Sequence, residues 1–264
     1  MDILEIEYRK ENNPFNMSTP HSHDYYELYF LLEGNRDIFL HNSIIQAHPK
    51  TFCVIPPFCL HKTEGGPYNR ININVSKNFL SQKEIAFLDT CAKKQALSLD
   101  PSYSEVFSAL LEEAASIPKT QSPQINHYKD SFVKTIFYFL QKQNLTPISI
   151  ASSSPSNTYT DPLILKITLF INNNYHTEIT LPMLCKKFFL SKATLCSHFK
   201  KAMHCSIMDY LFRLRLSKAM NYLATTNKSI EEISELCGFS SANYFSLAFK
   251  KALGISPMNY RKSR

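Results

Sequence analysis

The segment SIEEISELCGFSSANYFSLAFKKALGISPMNY, residues 229–260, decides the fold of the C-terminal half of this 264-residue chain. Its first part predicts a short helix, because apolar residues recur there at three-residue steps. These residues are Ile230, Ile233 and Leu236. Gly238 follows, where helices commonly end in a left-handed residue. Phe245 and Phe249 stand four positions apart, as on one face of a second helix that ends at Gly254. This order predicts a helix-turn-helix, which places its second helix in the major groove of DNA.

An internal repeat supports this prediction. FKKAMHCSIMDY (residues 199–210) and FKKALGISPMNY (residues 249–260) align without a gap at an offset of 50 residues. Upstream apolar residues match at an offset of 49, with Leu181, Leu184 and Leu190 corresponding to Ile230, Ile233 and Phe239. Two copies of one unit predict a domain with two related helix-turn-helix units, at about 181–201 and 230–251.

Residues 162–264 resemble the DNA-binding domain of the AraC/XylS family of bacterial transcription regulators. The second unit follows the family pattern through residue 261, and YLFRLRLSKAMNYL (residues 210–223) resembles the central helix of the family. Arg213 and Arg215 stand at the basic positions of that helix. The resemblance implies a regulator whose N-terminal domain binds an effector.

The first unit departs from the family pattern. Phe189 stands in place of the glycine of the turn, and His204 and Ile207 replace the later glycine and proline. We expect the first turn to be looser or strained, because a positive φ is uncommon for residues other than glycine.

The charge of the chain is divided unequally between its two halves. Residues 162–264 hold 15 Lys and Arg against five acidic residues, a net charge of +10. Residues 1–161 hold 14 basic and 17 acidic residues, a net charge of −3. A basic domain joined to a mildly acidic one fits phosphate contact by the C-terminal half alone.

The remaining composition points to the cytoplasm. The seven cysteines include no CxxC pair, so the sequence predicts neither a zinc site built on cysteines nor a disulfide framework, and such cysteines suit a reducing compartment. The N-terminal MDILEIEYRKEN lacks the regions of a signal peptide, and no apolar run approaches the length of a membrane-spanning helix. We expect a cytoplasmic protein without membrane contact.

Short β-rich runs separated by Gly and Pro turns predict a small antiparallel barrel or jelly roll over about residues 1–78. The runs are Tyr25–Leu32, Asp37–Leu40, Thr51–Ile55 and Asn69–Val75. RININV, at 70–75, alternates polar and apolar residues as a half-buried strand does. With the helical C-terminal half, the expected fold class is α+β, a cupin-like barrel plus helices followed by an all-α domain.

Four polar residues of this half resemble the metal-ligand set of the two cupin motifs. The series is His21, His23, Glu27 and His61, with Phe58 in place of the glycine of the second motif. His21, His23 and Glu27 would face one side of a strand by its period of two. A set of His and carboxylate ligands suits Zn, Mn, Fe or Ni.

Three interpretations of this set remain open at the sequence level. The four residues bind a divalent metal ion, they contact a polar small-molecule effector such as a sugar or another metabolite directly, or they only line a polar barrel mouth. Cupin-like sensor domains of AraC-type regulators also carry His and Glu at such places and bind small molecules without a metal. No other cofactor is predicted.

Three helices and a linker are predicted between the halves. The helices are Ser81–Ala92, Tyr103–Ser116 and His127–Gln143. The third helix carries an apolar stripe that consists of Phe132, Ile136, Phe137 and Leu140. We expect this stripe to pack either on the barrel or on a second copy of the chain. The sensor and dimerisation domain is thus placed at 1–143. Residues 144–161 are rich in Ser, Thr, Asn and Pro, which predicts a flexible linker. Asp161-Pro162 then opens a helix as an N-cap with Pro at its first position.

The DNA-facing residues follow from the buried faces of the two recognition helices. In the first unit Leu195 and Phe199 point inward, which leaves Lys192, Ala193, Thr194, Ser197 and Lys200 outward, with Cys196 near that face. In the second unit Phe245 and Phe249 point inward, which leaves Ala242, Asn243, Ser246, Leu247 and Lys250 outward.

Asn243 is the sharpest base-reading candidate, because Asn pairs bidentately with adenine, whereas the exposed apolar residues offer contact only to the thymine methyl. Neither exposed face holds an Arg. We expect the basic residues on and between these helices to contact phosphates: Lys192, Lys200, Lys250, Arg213 and Arg215. For Lys192 and Arg213 a solvated surface role is equally consistent with the sequence.

The sequence therefore predicts a DNA-binding transcription regulator that responds to a small-molecule effector in the barrel. We expect it to act as an activator. Its expected partners are double-stranded DNA, the effector, RNA polymerase and a second copy of itself. We expect no enzymatic activity. The alternative is a metal-dependent cupin enzyme fused to a DNA-binding domain.

Overall fold

The computed structural model describes residues 3–40, 43–100, 104–118, 122–142, 145–147 and 161–263. An antiparallel sheet with packed helices forms the N-terminal domain, and helices alone form the C-terminal domain, so the α+β class is confirmed. Among the described residues, no helix has the length and apolar character needed to cross a membrane.

One antiparallel sheet contains the seven described strands, in the order β1-β5-β2-β4-β6-β7, with β3 also paired to β2. The strands are β1 Leu4–Glu11, β2 Tyr26–Leu40, β3 Ser43–Ala47, β4 Thr51–Ile55, β5 His61–Val75, β6 Ala96–Ser98 and β7 Thr146–Pro147. The prediction of two separate runs within 25–40 was wrong, because they form the single strand β2. Irregular pairing at Leu31/Glu33 and Gly34/Arg36 lets this strand continue through the expected turn.

The two faces of the sheet bury different clusters. Ile71, Ile73 and Val75 of β5 pack toward the helices of the N-terminal domain. The residues that alternate with them, Arg70, Asn72 and Asn74, line a cavity on the other face. The predicted alternation of RININV is therefore confirmed, and it places a row of polar side chains on one side of the sheet.

Three helices cover the apolar face of the sheet: α1 Gln82–Lys94, α2 Ser104–Ser116 and α3 Pro123–Lys142. Ile136, Phe137 and Leu140 of α3 are buried in the same cluster as the sheet residues. The apolar stripe thus packs within the chain, and dimerisation stays a prediction. Most of the predicted linker lies outside the described residues. Thr146 and Pro147 do not belong to a linker, because they pair with β6.

Seven helices form the C-terminal domain: α4 Pro162–Asn174, α5 Leu181–Phe188, α6 Lys192–Met203, α7 Ile207–Thr225, α8 Ile230–Leu236, α9 Ala242–Leu253 and α10 Pro257–Lys262. The pairs α5–α6 and α8–α9 are the two predicted units, and α7 joins them. Asp161 caps α4 by accepting from the backbone of Leu163 at 2.9 Å, as the sequence predicted.

The turns of the two units use the same backbone geometry with different residues. Phe189 ends α5 at φ 56°, and Gly238 follows α8 at φ 76°. The expected strain in the first turn is thus present, and the Phe189 side chain is 94% exposed. A Cβ on Gly238 would lie 2.6 Å from the carbonyl oxygen of Tyr175, so the second turn requires glycine for space as well as for φ.

We predict that Gly238→Ala lowers the free energy of unfolding more than Gly254→Ala does. Gly254 has a similar φ of +78°, but a Cβ there would meet no atom within 4 Å. Gly254→Ala should therefore cost only the left-handed conformation, about 1–2 kcal/mol, while Gly238→Ala adds the clash with Tyr175. Urea unfolding of both variants measures the difference. Equal losses would contradict the close approach at Gly238.

Candidate functional site

The first recognition helix, α6, exposes the predicted face. Leu195 and Phe199 are fully buried, as predicted. Lys192, Ala193, Ser197 and Lys200 are exposed, whereas Thr194 and Cys196 are half-buried. The hydroxyl of Thr194 lies 2.8 Å from that of the N-cap Ser191, which also accepts from the Thr194 backbone at 3.1 Å. Thr194 is thus tied to the helix cap.

The second recognition helix, α9, follows the same plan. Phe245 and Phe249 are fully buried, and their rings meet edge-on with centroids 5.6 Å apart. Asn243, Leu247 and Lys250 are exposed, whereas Ala242 and Ser246 are half-buried. Tyr244 is 53% exposed at the start of this helix, although the sequence analysis did not select it. The feature of the sequence that could have identified Tyr244 is its position next to Asn243 on the recognition helix.

The two arginines of α7 differ in their surroundings. Arg213 is exposed and free to approach a phosphate. Arg215 donates from Nε to the carbonyl of Tyr175 at 2.8 Å and from Nη2 to that of Thr177 at 2.7 Å. Its guanidinium therefore holds the loop after α4, a structural role that the sequence did not reveal.

The four polar residues of the N-terminal domain do meet in space. Glu27 Oε2 lies 3.1 Å from His23 Nε2 and 3.4 Å from His61 Nε2. The rings of His21 and His61 are 4.2 Å apart, centroid to centroid. The expectation that His21, His23 and Glu27 share one strand was wrong. Strand β2 begins only at Tyr26, and His21 reaches the cluster through an isolated antiparallel bridge to His61.

Neighbouring groups fix the orientation of these side chains. His23 Nδ1 lies 2.9 Å from the carbonyl of Tyr25, and His61 Nδ1 lies 2.9 Å from the carbonyl of Cys59. A carbonyl oxygen can only accept, so each Nδ1 carries the hydrogen and each Nε2 points toward Glu27.

The second oxygen of Glu27 is held from the neighbouring strand β5. Asn72 donates a short hydrogen bond to Oε1, and Arg70 Nη1 lies 3.6 Å from the same oxygen. Burial by itself would raise the pKa of Glu27, but the hydrogen bonds and charges of His23 and His61 outweigh it and hold the pKa well below its usual range. Burial and the charge of His61 lower the pKa of His21 to about 3.

A cavity of about 160 Å³ adjoins the cluster. It is polar on one side, with Arg70, Asn72 and Asn74 of β5, and is bounded by His21 and His61. This volume is sufficient for a small polar molecule or for hydrated ions beside the histidines.

Residues 58–64, here called the coupling segment, connect the cluster to the C-terminal domain. Phe58 is buried with α7, α8 and α9 in the core of the second unit, and Leu60 is buried in the core of the first unit. Cys59, between these two residues, packs against the sheet of the N-terminal domain. His61, which follows Leu60, joins the histidine cluster. Successive residues of the coupling segment thus alternate between contacts with the C-terminal domain and contacts with the N-terminal domain.

Polar contacts reinforce this connection. The ammonium of the fully buried Lys62 donates to the carbonyl of Ala202 in α6 at 2.8 Å and pairs with Glu64. Glu64 also lies 3.2 Å from the ring of His204, which follows α6. Ser217 in α7 donates to the carbonyl of Phe58.

Phe58 itself is held in the left-handed region and bonded to the cluster. Its φ is 60°, which fits a position where the cupin motif has glycine. Its backbone N–H donates to the carbonyl of His23 at 2.6 Å. One hydrogen bond therefore links the backbone of His23 to Phe58, whose side chain lies in the core of the second unit.

Comparison with known proteins places the C-terminal domain. The model of the Helix-turn-helix domain family matches residues 184–263. The uncharacterized HTH-type transcriptional regulator YdiP of Escherichia coli K12 is 32% identical over 161 residues, which cover 60% of this chain and 52% of YdiP. The HTH-type transcriptional activator RhaR of Pectobacterium carotovorum is 42% identical over 78 residues, 30% of this chain and 28% of RhaR.

A third relative aligns along almost the whole chain. The Msm operon regulatory protein of Streptococcus mutans is 22% identical over 284 residues, which cover 99% of this chain and 98% of that protein. By contrast, this chain spans about half the length of YdiP and about a quarter of RhaR. The family match includes both recognition helices, and residues 184–263 of the C-terminal domain match the Helix-turn-helix domain family.

Proposed function

We propose that the protein is a sequence-specific activator of transcription. Its DNA binding responds to an effector in the N-terminal domain. The observation that carries the proposal is the pair of helices α6 and α9, each with a buried apolar face and an exposed polar and basic face, in one basic domain. Related units of this kind enter successive major-groove segments about one helical turn apart.

The residues on the outward faces of α6 and α9, together with Arg213 of α7, divide into base readers and phosphate contacts. Asn243 reads adenine, and Ala193, Ala242 and Leu247 contact thymine methyl groups. The exposed basic residues grip phosphates and set the register without reading sequence; they are Lys192, Lys200, Lys250 and Arg213. Arg215 supports the domain from within.

The N-terminal domain supplies the control. The cavity beside the histidine cluster receives the effector, and the coupling segment carries the change to both units because it enters both of their cores. This two-sided segment favours sensing over catalysis at the cluster. The name of RhaR, a transcriptional activator, supports activation, for which RNA polymerase is the further partner. A second copy of the chain on the operator also remains part of the proposal.

Asn243→Ala should relax sequence preference at one position of the site. The loss of a bidentate contact to adenine costs about 1–3 kcal/mol of discrimination between bases. Selection of bound duplexes from a randomised pool, by wild type and by the variant, measures this preference. An unchanged selected sequence would contradict base reading by Asn243.

Lys250→Ala should weaken binding to every sequence alike. The lost phosphate contact reduces the slope of log affinity against log salt by about 1. Titrations of selected and unrelated duplexes at several salt concentrations measure this slope. Lys77→Ala, an exposed lysine of the N-terminal domain, is the matched control and should leave the slope unchanged. An unchanged slope for Lys250→Ala would contradict the phosphate role.

A further inference from the structure

Two buried amide oxygens in the cavity of the N-terminal domain lack hydrogen-bond partners. Asn72 and Asn74 of β5 line this cavity and are only 4% and 9% exposed. The Oδ1 atom of each has no partner among the described residues. A buried acceptor in this state destabilises the folded protein, because it has lost its hydrogen bonds to water. A molecule bound in the cavity can supply the missing donors.

The orientation of the Asn72 amide is fixed by its neighbour on β2. Its nitrogen donates to Oε1 of Glu27, and a carboxylate oxygen can only accept. The end of the amide without a partner is therefore the oxygen and not the nitrogen. At this point the cavity favours a ligand that donates hydrogen bonds.

Arg70, also on β5, brings a positive charge to the same cavity. Its guanidinium lies 3.6 Å from Glu27 Oε1 and 3.7 Å from Glu7 Oε2, which are long distances for hydrogen bonds. The rings of Tyr29 and Tyr68 lie 5.4 and 5.9 Å from the guanidinium carbon and favour a cation there. These contacts use few of the N–H donors of an arginine, and the remaining donors fit a carboxylate in forked geometry.

The charges around the cavity alternate in sign. Glu7 of β1 lies opposite Asn72, and Glu27 of β2 lies opposite Asn74, so a carboxylate flanks each amide. A simple anion bound at Arg70 would meet both carboxylates, and a simple cation bound at the amides would meet Arg70. A ligand that carries both charges meets the opposite charge at each end.

The spacing of these groups fits a ligand whose two charges stand on neighbouring carbons. Residues on one face of a strand follow one another at about 7 Å, which separates Arg70 from Asn72. The ammonium nitrogen and a carboxylate oxygen of an α-amino acid are about 3 Å apart. With an angled hydrogen bond of about 2.9 Å at each end, such a molecule spans the two side chains.

We propose that this cavity binds a small α-amino acid, and that the amino acid is the effector. Its ammonium group donates to Asn72 and Asn74, and its carboxylate accepts from Arg70. The volume of about 160 Å³ limits the ligand to a small amino acid, since it equals about five water molecules at about 30 Å³ each. The site stands on its own geometry, and the effector role rests on the proposed function.

Two other ligand classes match only part of this arrangement. A neutral sugar would donate to the amide oxygens but would make no use of the charge of Arg70. A hydroxy acid would engage Arg70 but would place no positive charge between Glu7 and Glu27. Both classes therefore serve as comparisons in the binding experiment.

The cavity is in direct contact with the coupling segment. His61 and Thr63 belong to this segment and line the cavity together with Asn72 and Arg70. The next residue after His61 is Lys62, whose ammonium is bonded to the carbonyl of Ala202 in α6. We therefore expect an amino acid in the cavity to change the DNA affinity through this segment.

Titration calorimetry of the full chain with each of the common L-amino acids tests the ligand class. At least one should bind with one molecule per chain and raise the Tm by mass action. Its amine analogue, which lacks the carboxylate, and its hydroxy-acid analogue, which lacks the ammonium, should each bind at least about tenfold more weakly. Binding by none of the amino acids would overturn the proposal, and so would equally tight binding of glucose or of the hydroxy acid.

An exchange of Arg70 tests the carboxylate contact. Arg70→Met should weaken binding of the amino acid at least about tenfold but leave the affinity for its amine analogue unchanged, because the amine has no carboxylate. Arg9→Met is the matched control and should bind as wild type does. Arg9 lies opposite Arg70 and lines the same cavity, but it is already bonded to Glu11 at 2.8 Å. Equal losses in the two variants would overturn the assignment.

A second variant tests the ammonium contact and serves where Arg70→Met fails to fold. Asn74→Ala removes one amide oxygen from the cavity. It should weaken binding of the amino acid and of its amine analogue by the same factor, because both carry the ammonium. Wild-type affinity for both molecules in Asn74→Ala would contradict the proposed orientation of the ligand.

DNA titrations with and without the amino acid separate its effector role from the proposed function. Wild type should change its DNA affinity at least about threefold on addition of the amino acid. Arg70→Met should show no change at the same concentration. Binding of the amino acid with an unchanged DNA affinity in wild type would overturn the effector role. Failure to bind DNA in either state would overturn the proposed function and leave the amino-acid site intact.

Discussion

The contact on which the two-domain arrangement depends is the buried ammonium of Lys62, held between Glu64 and the carbonyl of Ala202. A buried charge is tolerated only with such partners, because desolvation of an unpaired ammonium is costly. Burial lowers the pKa of Lys62, and the ion pair with Glu64 opposes that change. The hydrogen bond to Ala202 joins the sheet to the end of the recognition helix α6. It lies next to Phe58 and Leu60, which pack into the cores of the two units.

The two helix-turn-helix units of the C-terminal domain pack their recognition helices in the same way. Each recognition helix buries a pair of large apolar residues, and each such side chain contributes about 1.5–3 kcal/mol when fully buried. The repeat is imperfect at the turns. Gly238 is confined by Tyr175, whereas Phe189 adopts the same left-handed region with its ring in solvent. Space next to the backbone, together with φ, thus decides where the glycine is indispensable.

The N-terminal domain separates its apolar and polar functions by strand alternation. Ile71 and Ile73 join the core beneath the helices, while Asn72 faces the cavity and holds Glu27. One strand therefore both stabilises the domain and orients a charged residue of its candidate site. Strand β5 also begins at His61, so the same element joins the cluster to the coupling segment.

The sequence by itself determined the elements that depend on local spacing and charge. The buried faces of α6 and α9 and the alternation of β5 follow from periods of 3.6 and 2.0. The cap at Asp161 follows from an Asp before Pro at the start of a helix, and the four polar residues were selected by their resemblance to the cupin motifs. Only the tertiary structure decided that Arg215 holds the loop after α4, and that Phe58 and Lys62 join the two domains. These contacts connect residues 38 to 159 positions apart, and local periodicity carries no information about pairs so distant in the chain.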